Sequence, residues 1–251
     1  MTMAWLGSIR LVRWCTLAYA ALACALAALV SIYFLGFLIH RGAPLHLGNI
    51  QGQAPVAAHL LNAGLLVAWG VQHSCMARAG FKQWLARWMH PSLERSTYVL
   101  ISSAALAGLM LGWQPLDGRL WLLASAPLQG LMGLLLAGGL VLVVYSASLT
   151  DGLDLLGWRQ AWCFAQGTAY QAPPFTQRSA YRWIRHPMML GALLALWATP
   201  DMTMTHGMFA LGMSAYILIG IHFEERSMQN ALGDAYRDYQ KRTKRLVPAV
   251  Y

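Results

Sequence analysis

Apolar positions in this chain run on without alternation. Between Arg13 and His40 stand 26 residues with no charge and no histidine. Thr97 to Gln114 and Leu120 to Leu149 are two more uncharged runs, and Pro55 to Gln72 is apolar apart from His59, Asn62 and Gln72. A bilayer core about 30 Å thick takes about 20 apolar helical residues. Only helices or closed barrels satisfy their backbone there, and barrel strands would alternate. The pattern therefore predicts four membrane-spanning helices over 14–149. Met188 to Ala198 is apolar for only 11 residues; Thr199-Pro200-Asp201 interrupts it, and Met208 to Phe223 resumes it. That reads as a helical hairpin, crossing by tilt or dipping in and out. Met228, Ala231, Leu232, Ala235, Tyr236 and Tyr239 then follow at helical spacing, which predicts one amphipathic helix lying at the interface. The expected fold is all-α: a polytopic integral membrane protein with about four full transmembrane helices, a C-terminal helical hairpin and an interfacial C-terminal helix. It forms a single membrane domain over 1–251, with 150–251 as the half that carries the site.

Composition sharpens this. The 251 residues are 58% hydrophobic and 11% charged, with a mean hydropathy of +0.46. A soluble domain is about 45–50% apolar and about 25% charged, so a soluble single-domain enzyme is excluded, as is bulk disorder. A nucleic-acid binder would also carry a net charge of +9, but long uncharged runs would not separate its basic residues. The N-terminus, 73–96, 150–186 and the tail from 224 hold 2, 4, 4 and 6 Lys/Arg, or 16 of the 18; only Arg41 and Arg119 lie opposite. The positive-inside rule then puts both termini in the cytoplasm. The first apolar run exceeds the about 7–15 residues of a signal-peptide core, so it reads as retained. The four cysteines form no CxxC pair and read as small membrane-compatible residues. His73, His186 and His222 show no ligand spacing, so no metal is expected.

Polar residues concentrate on the side with the basic loops. Gln72-His73-Ser74 and Glu94-Arg95-Ser96-Thr97-Tyr98 sit at span ends. Arg78, Lys82 and Arg87 there serve as anchors, and Ser96 fits a helix N-cap. Gln72, His73 and Arg95 are harder to explain as anchors, because polar groups at that depth need partners. The 150–186 connector is 37 residues long and carries Asp154-Leu155-Leu156-Gly157-Trp158-Arg159-Gln160, then Ala172-Pro173-Pro174-Phe175, then Tyr181-Arg182-Trp183-Ile184-Arg185-His186-Pro187. Connectors of that length are usually functional. Pro187 suits the first turn of a helix, which aims Arg185 and His186 at a helix N-terminus that can bind an anion. The basic run Lys241, Arg242, Lys244 and Arg245 reads as an attraction to anionic membrane lipid.

The hairpin begins after His186 and ends before Glu224, so its antiparallel geometry brings Arg185-His186-Pro187 beside Glu224-Glu225. Two adjacent carboxylates at the end of an apolar helix need partners. Two readings follow: a structural ion-pair knot, or a site for a small cationic, zwitterionic cofactor. In the second, the cofactor's carboxylate faces Arg185 and His186 and its ammonium and hydroxyls face the glutamates.

Arg-His-Pro, then Gly191, an apolar hairpin, Glu-Glu, and Gly233 with Tyr236 and Tyr239 resemble the isoprenylcysteine carboxyl methyltransferase and phospholipid methyltransferase superfamily over about 178–248. Upstream, Gln72-His73-Ser74 with Met76-Ala77-Arg78, Glu94 to Tyr98, Asp154 to Gly157 with Arg159-Gln160, and Trp197-Ala198-Thr199-Pro200 resemble its methanethiol S-methyltransferase branch. The resemblance implies an integral-membrane methyltransferase without a Rossmann fold that uses S-adenosylmethionine. It implies that Tyr181, Arg185, His186, Pro187, Gly191, Glu224, Glu225 and Tyr236 line the cofactor site. Met189 departs from the tyrosine usual at that position, so a contact made by that tyrosine is missing here.

Methyl transfer to a thiol needs a thiolate and in-line positioning. His73 or Asp154 is the expected base or substrate-side residue, with Arg95 and Arg159 as electrostatic partners. The implied substrate is methanethiol, which is small, apolar and membrane-permeable. Three alternatives remain: a related methyltransferase acting on a lipid amine or a prenylcysteine carboxylate, a non-enzymatic denitrification-associated membrane protein, and a small transporter. The transporter would carry intramembrane charges that these spans largely lack.

Overall fold

The computed structural model describes residues 3–52 and 54–247. In chain order the elements are α1 (Met3–Leu38), α2 (Val56–Ala77), α3 (Ala79–Leu85), α4 (Pro91–Gly112), β1 (Arg119–Leu122) and α5 (Ala126–Leu149). Then come α6 (Gly152–Leu155), α7 (Trp158–Gln166), α8 (Ala180–Trp183), α9 (Pro187–Trp197), β2 (Asp201–Thr203), α10 (Met204–Leu232) and α11 (Asp234–Arg242). Position 248, where the family resemblance ends, lies outside the described residues.

Helices stand at all four places where the apolar runs predict spans. Among the described residues, three helices are long and apolar enough to cross a membrane: Arg10–Leu38 within α1, Ala126–Leu149 and Met204–Leu232. The 22-residue α2 and α4 reach about 33 Å each, but polar residues interrupt them: His59, Asn62, Gln72 and His73 in α2, Glu94, Arg95 and Ser102 in α4. Side chains such as Ile32, Val67, Leu134, Val144 and Leu211 are more than 60% exposed. A belt of that size cannot face water without aggregation, and lipid tails satisfy it.

The hairpin is present but unequal. α9 has 11 residues, too short to cross alone, whereas α10 has 29. Glu224 therefore stands about 30 Å along α10 from Met204, roughly one bilayer core. The single amphipathic C-terminal helix is not found. α10 runs through Glu224-Glu225 to Leu232, and Gly233 breaks it at φ 57° and ψ −127°. Glycine takes that backbone without a Cβ clash, and the break folds α11 back over the end of the bundle.

The core lies between α1, α2, α4, α9 and α10. Phe209 sits in it fully buried, edge-on to Phe37 at 5.5 Å and to Trp113 at 5.3 Å between centroids. α5 joins the bundle chiefly along α9 through a glycine crossing: a Cβ on Gly191 would lie 2.5 Å from the Gly139 carbonyl oxygen. Close approach of this kind replaces the hydrophobic driving force that lipid does not supply.

The end of the bundle opposite the connector is tied together by polar contacts. β1 pairs antiparallel with β2, and Arg119 Nε meets Asp201 at 2.6 Å across the ribbon. The buried Asn62 donates to the Gln114 carbonyl and accepts from its N–H, at 2.9 and 2.8 Å. His206 lies 2.9 Å from His40 and 2.8 Å from the Leu196 carbonyl. Strands of three and four residues carry too little periodicity to announce themselves in sequence.

Candidate functional site

At the connector end, the chain leaving α8 runs beside the chain leaving α11. Arg185 N–H donates to the Lys244 carbonyl at 2.8 Å and His186 N–H to the Arg245 carbonyl at 3.1 Å. His186 caps α9, and Pro187 opens it at the position where a missing N–H leaves nothing unsatisfied.

The two glutamates that follow one another in sequence part company here. The Glu225 side chain is 6% exposed and Glu224's is 50%. Glu225 Oε1 accepts from Arg185 Nε at 2.7 Å and His186 Nε2 at 3.2 Å. Its Oε2 accepts from Arg245 Nη2 at 3.0 Å and Gln240 Nε2 at 3.4 Å. Arg185 Nη1 also donates to the Gln240 and Thr243 carbonyls. Arg185 is thus committed within the knot while still lining the cavity beside it. Glu224 faces outward, 3.6 Å from His186 Nδ1, so the imidazole bridges the two carboxylates. The ion-pair reading is thus realised by Glu225, while the Glu224 carboxylate stays half exposed outside the knot.

Beside the knot lies a cavity of about 350 Å³ lined by Tyr181, Arg185, His186, Glu224, Tyr236 and Asp154 among others. Its roof is Pro173-Pro174-Phe175, with Phe175 edge-on to Tyr236 at 5.8 Å and Tyr239 at 5.4 Å. Tyr239 donates to the Tyr181 carbonyl at 2.5 Å, tying α11 to α8. Burial pushes the Tyr236 phenol up to about 12, with the nearby Glu225 charge acting the same way, so it stays a neutral donor at physiological pH. Gly191 lies away from this cavity, at the crossing with Gly139.

A second cavity, of about 510 Å³, is lined by Lys82, His90, Glu94, Arg95, Gln160 and Tyr170 among others. Asp154 is common to both linings. Its Oδ1 accepts from the Tyr170 hydroxyl at 2.8 Å and Gln160 Nε2 at 3.1 Å. The expected partner Arg159 pairs with Asp151 instead. Asp151 caps α6 from a left-handed backbone, φ 63°, which turns its carboxylate back toward α7. The Arg159 guanidinium holds the Asp151 carboxyl below the usual carboxylate range. Arg159 lines neither cavity.

The two upstream motifs meet at this point. Arg95 Nε donates to the Leu155 carbonyl at 2.9 Å, and Ser96 Oγ to the Gly157 carbonyl at 3.3 Å. Ser96 is interior to α4, which begins at Pro91 behind a His90 cap, so it is not an N-cap. Gly157 has φ 82°, and a Cβ there would stand 2.6 Å from Ser96 N. Gly157→Ala is expected to undock the Asp154 turn from α4 and destabilise the protein by about 1–3 kcal/mol. Thermal unfolding in detergent measures this, and an unchanged midpoint would refute the docking.

His73 sits elsewhere. Its Nε2 is 2.7 Å from the Tyr98 hydroxyl, its ring stacks on Trp69 at 5.1 Å, and it lines neither cavity. The sequence pattern did not point to Gln240, the Thr243 carbonyl or Tyr170, and Arg245, expected to face lipid headgroups, pairs with Glu225 instead. The Pro-Pro-Phe run was the one visible sign of the roof. Among the described residues, no cluster of three His, Cys, Asp or Glu could hold a metal ion.

No family model and no solved structure matches the chain. Curated relatives do. A methanethiol S-methyltransferase of Mycobacterium tuberculosis is 37% identical over 236 residues, 94% of this chain and 97% of its own. Methanethiol S-methyltransferase 2 of Bradyrhizobium diazoefficiens is 37% identical over 247 residues, 95% of this chain and 92% of its own. Nurim of Xenopus laevis is 32% identical over 167 residues, 62% of this chain and 58% of its own.

Proposed function

The chain belongs to the methanethiol S-methyltransferase family, and from that membership we propose that it methylates methanethiol to dimethyl sulfide with S-adenosylmethionine as donor. The observation that carries the assignment of sites is Asp154, which stands between two cavities and belongs to both.

The donor is assigned to the cavity beside Glu224, and the residues there suit it. A volume of about 350 Å³ falls in the range of small-ligand sites. Aromatic faces of Phe175 and Tyr236 offer stacking surface for a purine. Glu224 offers an exposed carboxylate for an ammonium or hydroxyls, and the Arg185–Glu225–His186 knot holds that wall in place. When bound, S-adenosylmethionine supplies a methyl group on a positively charged sulfur.

The thiol is assigned to the far side of Asp154. Tyr170 and Gln160 both use Oδ1, which leaves Oδ2 to take the thiol proton. A thiolate is the competent nucleophile, and the remaining task is to hold the two sulfurs in line with the carbon. Arg95, Arg159 and His73 act through what they touch. Arg95 holds the Leu155 carbonyl, Arg159 the Asp151 carboxylate, and His73 the α2–α4 contact at Tyr98. By the sorting of basic residues, the site faces the cytoplasm and both termini lie there, in the bacterial inner membrane.

Cells expressing the protein and fed methanethiol are expected to release dimethyl sulfide, measured by headspace gas chromatography. Dimethyl sulfide at the empty-vector level, with well-expressed protein, would refute the assignment.

A further inference from the structure

The thiol-side cavity is larger than methanethiol requires. A thiol of two heavy atoms fills roughly twice the ~30 Å³ share of one water, against about 510 Å³ here. Its walls are charged, whereas a cavity shaped only for a small apolar thiol would be apolar. Two of the four charges cancel, since Lys82 Nζ pairs with Glu94 Oε1 at 3.1 Å. The other two do not. Asp154 takes neutral donors from Tyr170 and Gln160. Arg95 gives Nε to the Leu155 carbonyl and lays its guanidinium 5.1 Å over the Tyr98 ring, but forms no ion pair among the described residues. The cavity thus has a carboxylate where it meets the donor site and an unneutralised guanidinium elsewhere in its wall.

A ligand complementary to this space carries a thiol at one end and an anion at the other. We propose that this cavity takes short mercaptocarboxylates, with sulfur toward Asp154 and carboxylate on Arg95, so that the protein S-methylates them as well as methanethiol. The proposal rests on the reading of the Asp154 side as the thiol site. In the step, the thiol proton passes to the Asp154 carboxylate and a new S–CH3 bond forms. The donor's S–CH3 bond breaks with its electron pair left on the donor sulfur, giving a thioether carboxylate and S-adenosylhomocysteine. Arg95 grips a planar carboxylate with the donors that Leu155 leaves free, the geometry for which a guanidinium is suited.

The test uses the purified full-length protein in detergent with S-adenosylmethionine. It compares methanethiol, 3-mercaptopropionate and the length-matched uncharged 1-propanethiol, with products read by mass spectrometry. The expected result is S-methylation of 3-mercaptopropionate with kcat/KM at least tenfold above that of 1-propanethiol. In Arg95→Gln, the ratio of the two kcat/KM values is expected to fall about tenfold to a hundredfold, whatever the variant does to methanethiol. If methanethiol is methylated and 3-mercaptopropionate is not, the mercaptocarboxylate proposal is wrong and the family reaction stands. A ratio that Arg95→Gln leaves unchanged also overturns it. If methanethiol itself is not methylated, the underlying reading falls and the proposal falls with it.

Discussion

Glu225→Ala is expected to remove S-adenosylmethionine binding and to lower stability by about 3–5 kcal/mol, the usual consequence of deleting one partner from a buried charge cluster. Glu225 is the anion on which Arg185, His186, Arg245 and Gln240 converge. Without it, the buried Arg185 guanidinium loses its carboxylate and keeps only the Gln240 and Thr243 carbonyls. The damage reaches the donor cavity because α8, α9 and α11 are joined here. His186 loses its Nε2 partner, and the strand-like pairing of Ile184 with Lys244 loses its support. Glu225→Gln keeps the shape and some hydrogen bonds, and is expected to cost about 1.5–3 kcal/mol. Glu224→Gln separates fold from function. That side chain is half exposed, so its stability change stays within about 0.5 kcal/mol, while donor affinity falls. Thermal unfolding and calorimetric titration with S-adenosylmethionine in detergent measure both quantities. A Glu225→Ala protein with an unshifted unfolding midpoint and normal donor affinity would overturn the role given to the knot.

The sequence discloses the meeting of Arg185-His186 with Glu224-Glu225 for a topological reason. An antiparallel hairpin returns to the level from which it started, so residues at its two ends must adjoin, whatever the details of packing. The division of labour between Glu224 and Glu225 is not disclosed. It depends on which side of α10 faces Arg245, and Arg245 arrives only because Gly233 turns α11 back. A periodic pattern running from Met228 to Tyr239 conceals that turn, since α10 and α11 are each helical on either side of one glycine. The partner of Arg159 was misplaced for a related reason. Asp151 and Asp154 are both within reach of Arg159, and the left-handed backbone at Asp151 decides between them. His73 was read correctly as a polar group needing a partner at the end of a span. Its partner, Tyr98, comes from the neighbouring motif and keeps it within the helix contact, away from both cavities.

With His73 away from both cavities, the base we propose is Asp154, and its removal is the sharpest test of that proposal. Asp154→Asn is expected to lower kcat for methanethiol by about 10²–10⁴, the range typical of a positioned proton acceptor, with donor affinity changed by less than about threefold. Asparagine is nearly isosteric, and its carbonyl oxygen can still accept from Tyr170 and Gln160, so the wall between the cavities keeps its form. What it lacks is a basic oxygen for the thiol proton. The pH profile distinguishes this from a loss of positioning. A variant without its base depends on thiol that ionises in solution, so its rate rises about tenfold per pH unit until the thiol's own pKa is passed. Aliphatic thiols titrate above neutral pH, as cysteine does near about 8.5. The intact protein, which removes the proton itself, shows a flatter profile over the same range. The gap between the two therefore closes as pH rises. A variant that is merely misaligned would trail by a constant factor at every pH. An Asp154→Asn protein retaining more than a tenth of the normal kcat at neutral pH would remove Asp154 from the reaction, and the wall between the two cavities would then be structural.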